Sequence, residues 1–462
     1  MKRFLFTLTL ALVALAGCKK DPAPGQEPEP IAVKVSQIKL VDMPTTDFTV
    51  GCSVTISAVI TPDDATDKSV TFTSSNPEVA TVEYTESENN YSLALLKAVG
   101  PGKATITATA NDGSGVKAEA EVTVIPKKMT FTSPANCYIV TEAGEYTFKA
   151  VKGNSSESVG SVASAKVLWE TFGTDETPEV GDLVKEVSYN NGEITFKATD
   201  RKGNAVIAAK DAAGNILWSW HIWLTDQPEE QVYYYNAGTM MDRNLGATSA
   251  TPGDVRALGL LYQWGRKDPF LGSSSISSST VAKSTGSWPP AVSSDSSRGT
   301  IAYAIANPTT FITDSGKYDG TNNYDWYYFY GSDASDNTRW TRSKSSKSIY
   351  DPCPSGWRVP DGSKNGIWPK ALGSSSEFTN VFDNKDIGMN FTAKYGSDQT
   401  IWYPASGFYE DGCLYDVGKI GLYWSAPLYW YDANTLRIDN DGTVALWNYA
   451  CAYGLSVRCV KE

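Results

Sequence analysis

Between residues 34 and 126 apolar and polar side chains alternate with a period of two, and that period leaves little choice of fold. Ala104, Ile106 and Ala108 face one way and Thr105, Thr107 and Thr109 the other, the pattern of a strand buried on one face. Asp63-Asp64, Asn76-Pro77 and Asn111-Asp112-Gly113 break the runs where turns are needed. Short strands at this spacing predict a β-sandwich. Residues 127–230 continue in strand-like runs, among them Tyr146–Val151, Glu193–Ala198 and Ala205–Ala209, with turns at Gly153-Asn154, Gly203-Asn204 and Gly214-Asn215. They predict a second β-sandwich.

The first of these regions also resembles the group 2 bacterial Ig-like domain. The matching residues are Val50-Gly51, Thr61-Pro62, Ala65-Thr66, the run Val70–Pro77, Val79–Val82 and Gly102–Thr107, with Phe72 where the family usually has Trp. The resemblance implies a spacer module with no catalytic residues.

Ahead of it, Lys2 and Arg3 precede the apolar run Phe4–Leu15, which is too short to cross a bilayer comfortably and is arranged as a secretion signal. Leu15-Ala16-Gly17-Cys18 then resembles the lipobox of bacterial lipoproteins. That resemblance implies a signal peptide over residues 1–17, cleavage before Cys18 and lipidation of its sulfur. Residues 18–33, with Pro22, Pro24, Pro28 and Pro30, predict a stiff extended tether. The expected partner at this end is the outer membrane, reached through the lipid. The cell surface is the expected face, with the periplasmic face left open.

Composition narrows the chemistry. The net charge of -12 argues against a nucleic-acid partner, which needs clustered Lys and Arg. One histidine in 462 residues excludes multi-histidine metal sites and leaves His221 alone for any Ser-His-Asp device. In Trp218–Leu224, Trp218, Trp220 and Ile222 share one strand face and Ser219, His221 and Trp223 the other. His221 is expected on the less buried face, without a catalytic partner near it in sequence. The expectation is a protein that is not an enzyme and needs no cofactor.

From residue 231 the character changes. Thirteen of the 14 Trp lie from Trp218 onward, and residues 272–299 form a Ser-rich stretch expected as an exposed loop. The run from Asp254 to Gln263 is a short helical candidate. Five signposts then occur in order: Met241–Ala247, Tyr262–Arg266, Cys353–Pro360, Tyr423-Trp424-Ser425 and Ser456–Val460. Together they resemble the Fibrobacter succinogenes major paralogous (FISUMP) domain, although its Trp-containing helix is only loosely represented by Ile367-Trp368-Pro369. That resemblance covers residues 231–462 and implies an α+β C-type-lectin-like domain without assigned activity. The chain as a whole is thus expected to be mainly β: an Ig-like β-sandwich over 34–126, a second sandwich over 127–230, and the lectin-like domain.

Six cysteines follow Cys18, and an oxidising compartment favours pairing. The lectin-like resemblance implies nested bonds, Cys353–Cys459 outside and Cys413–Cys451 inside. Cys52 and Cys137 are expected as buried thiols. Tyr449 stands where sugar-binding lectins carry a calcium-ligating Asp, so the resemblance implies no metal by that route. Asp439-Asn440-Asp441-Gly442 and the stretch Thr313–Trp326 read as turn chemistry. Flat aromatic rings bind sugars and peptides alike. Trp402, Tyr403, Tyr409, Tyr415, Tyr429, Trp430, Tyr431, Asn434, Trp447 and Tyr449 are therefore the candidate contacts for an extracellular glycan or protein ligand. About half are expected in the core, as is Trp424. The expected function is a lipid-anchored surface binding protein or adhesin. The alternatives are a pilus-tip or surface-layer subunit, a sequence-diversified display protein, or an enzyme of the formylglycine-generating type, whose copper-binding cysteine pair is poorly matched by cysteines placed for disulfides.

Overall fold

A computed structural model describes residues 31–46, 48–315, 324–328, 338–343, 346–372, 381–392, 400–429 and 432–462. The signal peptide, Cys18 and most of the tether lie outside the described residues. The chain divides into two compact units, residues 1–126 and 127–462.

In the first unit the alternating runs form two facing sheets. One has the order Gln37–Val41, Ser53–Thr61, Tyr91–Ala98, Ala80–Glu88; the other is Val70–Ser74, Gly102–Ala110, Lys117–Val124. Ala104, Ile106 and Ala108 are buried with Ile56, Ile60, Leu96 and Val124, as the period requires. Cys52 departs from expectation: it is exposed, in the turn that leads into Ser53–Thr61, where its sulfur lies 3.6 Å from the Thr49 hydroxyl.

In the second unit residues 128–224 form another sandwich. Its sheets run Val184–Asn190, Glu193–Ala198, Gly144–Lys149, Lys128–Phe131 and Ser164–Thr171, Gly203–Lys210, Ile216–Leu224, Cys137–Val140. Trp218, Trp220 and Ile222 fill its interior with Phe148 and Phe196. The opposite face is buried as well. Ser219 donates to Asp268 and accepts from Lys267, Trp223 Nε1 donates to the Ala247 carbonyl at 3.0 Å, and His221 is 2% exposed. The expectation that His221 sits on the less buried face is thereby corrected. The region after residue 230 covers that face, which is why Ala205–Ala209 reads as a continuous apolar run rather than an alternating one.

After residue 230 the unit is nearly all strand. A curled sheet runs Cys413–Tyr415, Phe408–Glu410, Gly454–Ser456, Ile420–Tyr429, Asp432–Asp439, Gly442–Ala450, with Leu261–Gln263 also paired to Gly454–Ser456. Smaller sheets hold Glu230–Val232, Thr239–Met241, Val460–Lys461 and Trp357–Arg358, and Val381–Asp383, Gly388–Thr392 and Thr400–Pro404. Among the described residues the α-helices are Ile301–Ala306 and Ile367–Leu372, the second placing Trp368 in the core. Helix is therefore far scarcer than an α+β domain leads one to expect. The run 254–263 is not a helix either. Asp254 caps a single 3-10 turn, Val255–Ala257, and Gly259 at φ +75° then turns the chain into the strand Leu261–Gln263.

The Ser-rich stretch is not a free loop. Lys283 N–H donates to the Thr174 carbonyl and Thr285 N–H to that of Glu170, while Thr171 Oγ1 donates to the Lys283 carbonyl. These bonds cover the open edge of Ser164–Thr171. Gly286 is required there, because a Cβ would lie 2.5 Å from that of Trp169.

Candidate functional site

The signpost motifs turn out to hold one another. Met241 N–H donates to the Cys459 carbonyl and Leu245 N–H to that of Val457. Trp424 Nε1 donates to the Tyr262 carbonyl, and Trp264 Nε1 to that of Ser425 at 2.8 Å. Asn244, Gln263, Trp264, Trp424 and Arg458 are all within 1% of full burial. Lys347 Nζ donates to the Pro354 and Trp357 carbonyls, and Asp351 accepts from the Cys353 and Val359 amides at 2.9 Å, fixing the Cys-Pro-Ser-Gly-Trp-Arg loop. Burial pushes the Asp351 carboxyl up to about 6. These motifs are scaffold.

One disulfide is present among the described residues, Cys353–Cys459, which ties that loop to the last strand. The inner bond implied by the lectin-like resemblance is not formed. Cys413 is exposed in the hairpin beside Phe408–Glu410, whereas Cys451 is buried. Cys137 is a buried thiol.

What remains for binding lies at the surface of the curled sheet. The hairpin sets Phe408 opposite Tyr415 and Glu410 opposite Cys413 on one face, and turns Tyr409 to the other. The turn after Ala450 carries the chain from the far edge of the sheet directly to Gly454–Ser456, beside Phe408–Glu410. That crossing brings Tyr449 and Tyr453 onto Phe408. The Phe408 and Tyr453 rings stack at 5.7 Å with an interplanar angle of 3°, and Tyr449 lies 6.2 Å and Tyr415 6.1 Å from Phe408. Tyr453 Oη donates to Glu410. Burial first, and then the bonded Glu410, pushes the Tyr453 phenol well up, so it stays a donor at neutral pH. Next along the same strand as Tyr449, Trp447 lies 4.9 Å beneath the Arg437 guanidinium, which is held by Asp439 at 2.6 Å.

Of the ten candidate contacts, Tyr415 and Trp447 are exposed, each 43%, and Tyr449 is half-buried. Trp402, Tyr403, Tyr409 and Asn434 are buried and are not surface contacts. Tyr403 accepts from Trp368 Nε1 and stacks under Arg458, Tyr409 packs on Phe270 and Phe311, and Gly388 abuts the Trp402 ring. The side chain of Tyr429 and the residues Trp430 and Tyr431 lie outside the described residues. Phe408, Glu410 and Tyr453 belong to the face without having been selected from sequence. The period of two in the sequence separates Phe408 and Glu410 from Tyr409, whereas no local pattern encodes the contact of Tyr453 with Glu410.

Among the described residues no three His, Cys, Asp or Glu side chains are gathered as a metal set. Asp439–Gly442 is a strand-to-strand turn in which Asp441 N–H donates to Asp439. His221 is neutral at physiological pH: burial drives its imidazole down to about 3, and Nε2 meets Asn204 Oδ1 at 2.9 Å.

Residues 35–122 match the family of group 2 bacterial Ig-like domains. The first unit carries that domain. The chain is also 30% identical over 165 residues to an alpha-L-arabinofuranosidase of Bifidobacterium longum, a match over 32% of this chain but only 15% of that enzyme. Among solved structures, the Escherichia coli adhesin FdeC is 16% identical, over 42% of this chain and 67% of its own, with a TM-score of 0.20. The Yersinia pseudotuberculosis adhesin InvE is 14% identical, over 46% and 69%, also at 0.20. Domains 4 and 5 of the S-layer protein SbsC are 19% identical, over 20% of this chain and 51% of theirs, at 0.17. Superposition that weak says nothing about function.

Proposed function

We propose that the protein is a lipid-anchored, non-enzymatic binding protein of the bacterial cell surface, with the Ig-like domain as a spacer in the chain between anchor and binding region. The lipobox-like Leu15–Cys18, the Pro-rich run after it and the Ig-like family match support the setting. The FISUMP resemblance supports reading the C-terminal region as C-type-lectin-like. The single observation that carries a binding role is the cluster of Tyr415, Tyr449 and Tyr453 around Phe408, with Trp447 on the same strand as Tyr449, aromatic side chains left partly open to solvent on a sheet whose Trp424 is buried. Rigid aromatic faces give large contact area at low entropic cost, for a glycan or a protein ligand.

The reading is tested by binding the full chain to immobilised glycans and peptides. The double variant Tyr415→Ala, Trp447→Ala should lose at least tenfold in affinity with its melting temperature lowered by only a few degrees. Ligands held equally well by the variant would reject this face as the site.

A further inference from the structure

We propose that the face around Phe408 receives a cation, the ammonium or guanidinium of a Lys- or Arg-bearing peptide. The inference rests on the binding reading above and names its ligand chemistry. Three features of the face carry it.

Two half-buried rings are set at an angle. Tyr449 and Tyr453 lie 5.9 Å apart and inclined by 49°, both against Phe408. A cation over such faces is attracted by the ring quadrupoles, more strongly once partly desolvated.

The charge beside them is negative and only partly compensated. Asp416 is paired with Lys419 at 3.0 Å and Asp439 with Arg437. Glu410 has no Lys or Arg ion pair among the described residues. Its carboxylate is oriented by the Tyr453 hydroxyl, which satisfies one oxygen and leaves the charge in place. Exposed Asp411 follows it in the turn, and its field also reaches Tyr453. A neutral sugar could use the rings but would leave that charge unanswered.

The same sheet already holds a cation by this chemistry. The Arg437 guanidinium lies over Trp447, two residues before Tyr449 on one strand, with a carboxylate clamping it from the side. Tyr449, Tyr453 and Glu410 repeat the aromatic-and-carboxylate pattern, with no Lys or Arg paired to the carboxylate among the described residues.

The test is calorimetry of the full chain with an end-capped peptide of alternating Lys and Gly, and with the same peptide acetylated at every lysine. Acetylation removes the charge and keeps the length. We expect the lysine peptide to bind and acetylation to weaken it at least tenfold. Glu410→Gln should weaken the lysine peptide to a similar degree, and Tyr415→Ala, at an exposed position that does not threaten folding, by severalfold. Glu121→Gln, which removes an exposed carboxylate in the Ig-like domain, should change nothing and so excludes general attraction to an acidic chain. Equal binding of both peptides, or equal effects of Glu410→Gln and Glu121→Gln, would overturn the inference. Glycans bound at this face with Glu410→Gln silent would overturn it and leave the binding reading standing. No ligand of any class at this face would end both.

Discussion

Arg458, four residues from the C-terminus, donates from Nε and Nη2 to Oδ1 of Asn244 at 3.2 and 3.0 Å, across 214 residues of sequence. Its guanidinium lies 3.9 Å over the Tyr403 ring and is 1% exposed. A buried cation so held depends on each acceptor it has. Asn244→Ala should therefore cost ~2–4 kcal/mol, read as a lower denaturation midpoint, because it leaves a charged donor without its oxygen. A loss within ~0.5 kcal/mol, ordinary for a surface site, would mean the pair is not a structural tie.

The cysteines make a second prediction. Peptide mapping without reductant should recover Cys353 joined to Cys459. Cys52 and Cys413 should alkylate in the native protein, and Cys137 and Cys451 only after unfolding, since the first two are exposed and the others buried. Reducing the bond, which closes a separation of 106 residues, should cost ~2–4 kcal/mol. A Cys413–Cys451 bond would contradict the hairpin placement.

His221 sets a pH dependence. Its imidazole titrates near 3 in the folded protein because it is buried, against about 6.5 when unfolded. Below pH 6.5 the unfolded chain therefore binds a proton that the folded chain refuses, so this stability is full above 6.5 and is lost as pH falls toward 3. Asp351 acts oppositely: its carboxyl, raised to about 6, takes up a proton more readily when folded and offsets part of the loss between 6 and 4. Comparison with His221→Gln isolates the first contribution. Relative to that variant, the natural protein should lose ~1 kcal/mol per pH unit below 6.5 in urea titrations. Parallel pH profiles would mean the imidazole is solvated.

At the other end of the chain, Cys18→Ser should move the protein from membranes to the soluble fraction, because the thiol is the acylation point the lipobox resemblance implies. A variant that still sediments with membranes would remove the lipid anchor from the account.

Much of the fold is legible where burial is one-sided. The period of Ala104–Thr109 names its own core face, and Trp218, Trp220 and Ile222 separate from Ser219, His221 and Trp223 as strand geometry demands. What period cannot say is what lies against the second face, so Ser219 and His221 look exposed until the C-terminal region covers them. The site is less legible for a related reason. Aromatic density picks out Tyr403 and Tyr409 as readily as Tyr415 and Trp447, and only packing divides core from surface. Tyr453 reaches the face through a turn whose crossing no local pattern encodes. The signpost motifs mislead in the other direction, since Asn244, Gln263 and Arg458 carry the polar chemistry of a site and spend it on one another and on backbone carbonyls.

The central claim is that the rings around Phe408 form a ligand face rather than an outlying piece of core. It is tested most directly by measuring melting temperature and ligand affinity on one protein, the double variant Tyr415→Ala, Trp447→Ala. Both side chains are 43% exposed and each gives up one contact, with the Phe408 ring or the Arg437 guanidinium, so stability should move by about 1 kcal/mol per site, while affinity falls by ~2 kcal/mol or more as at other aromatic hot spots. A melting temperature lowered by about ten degrees, with affinity lost only as the protein unfolds, would make these residues core and contradict the account.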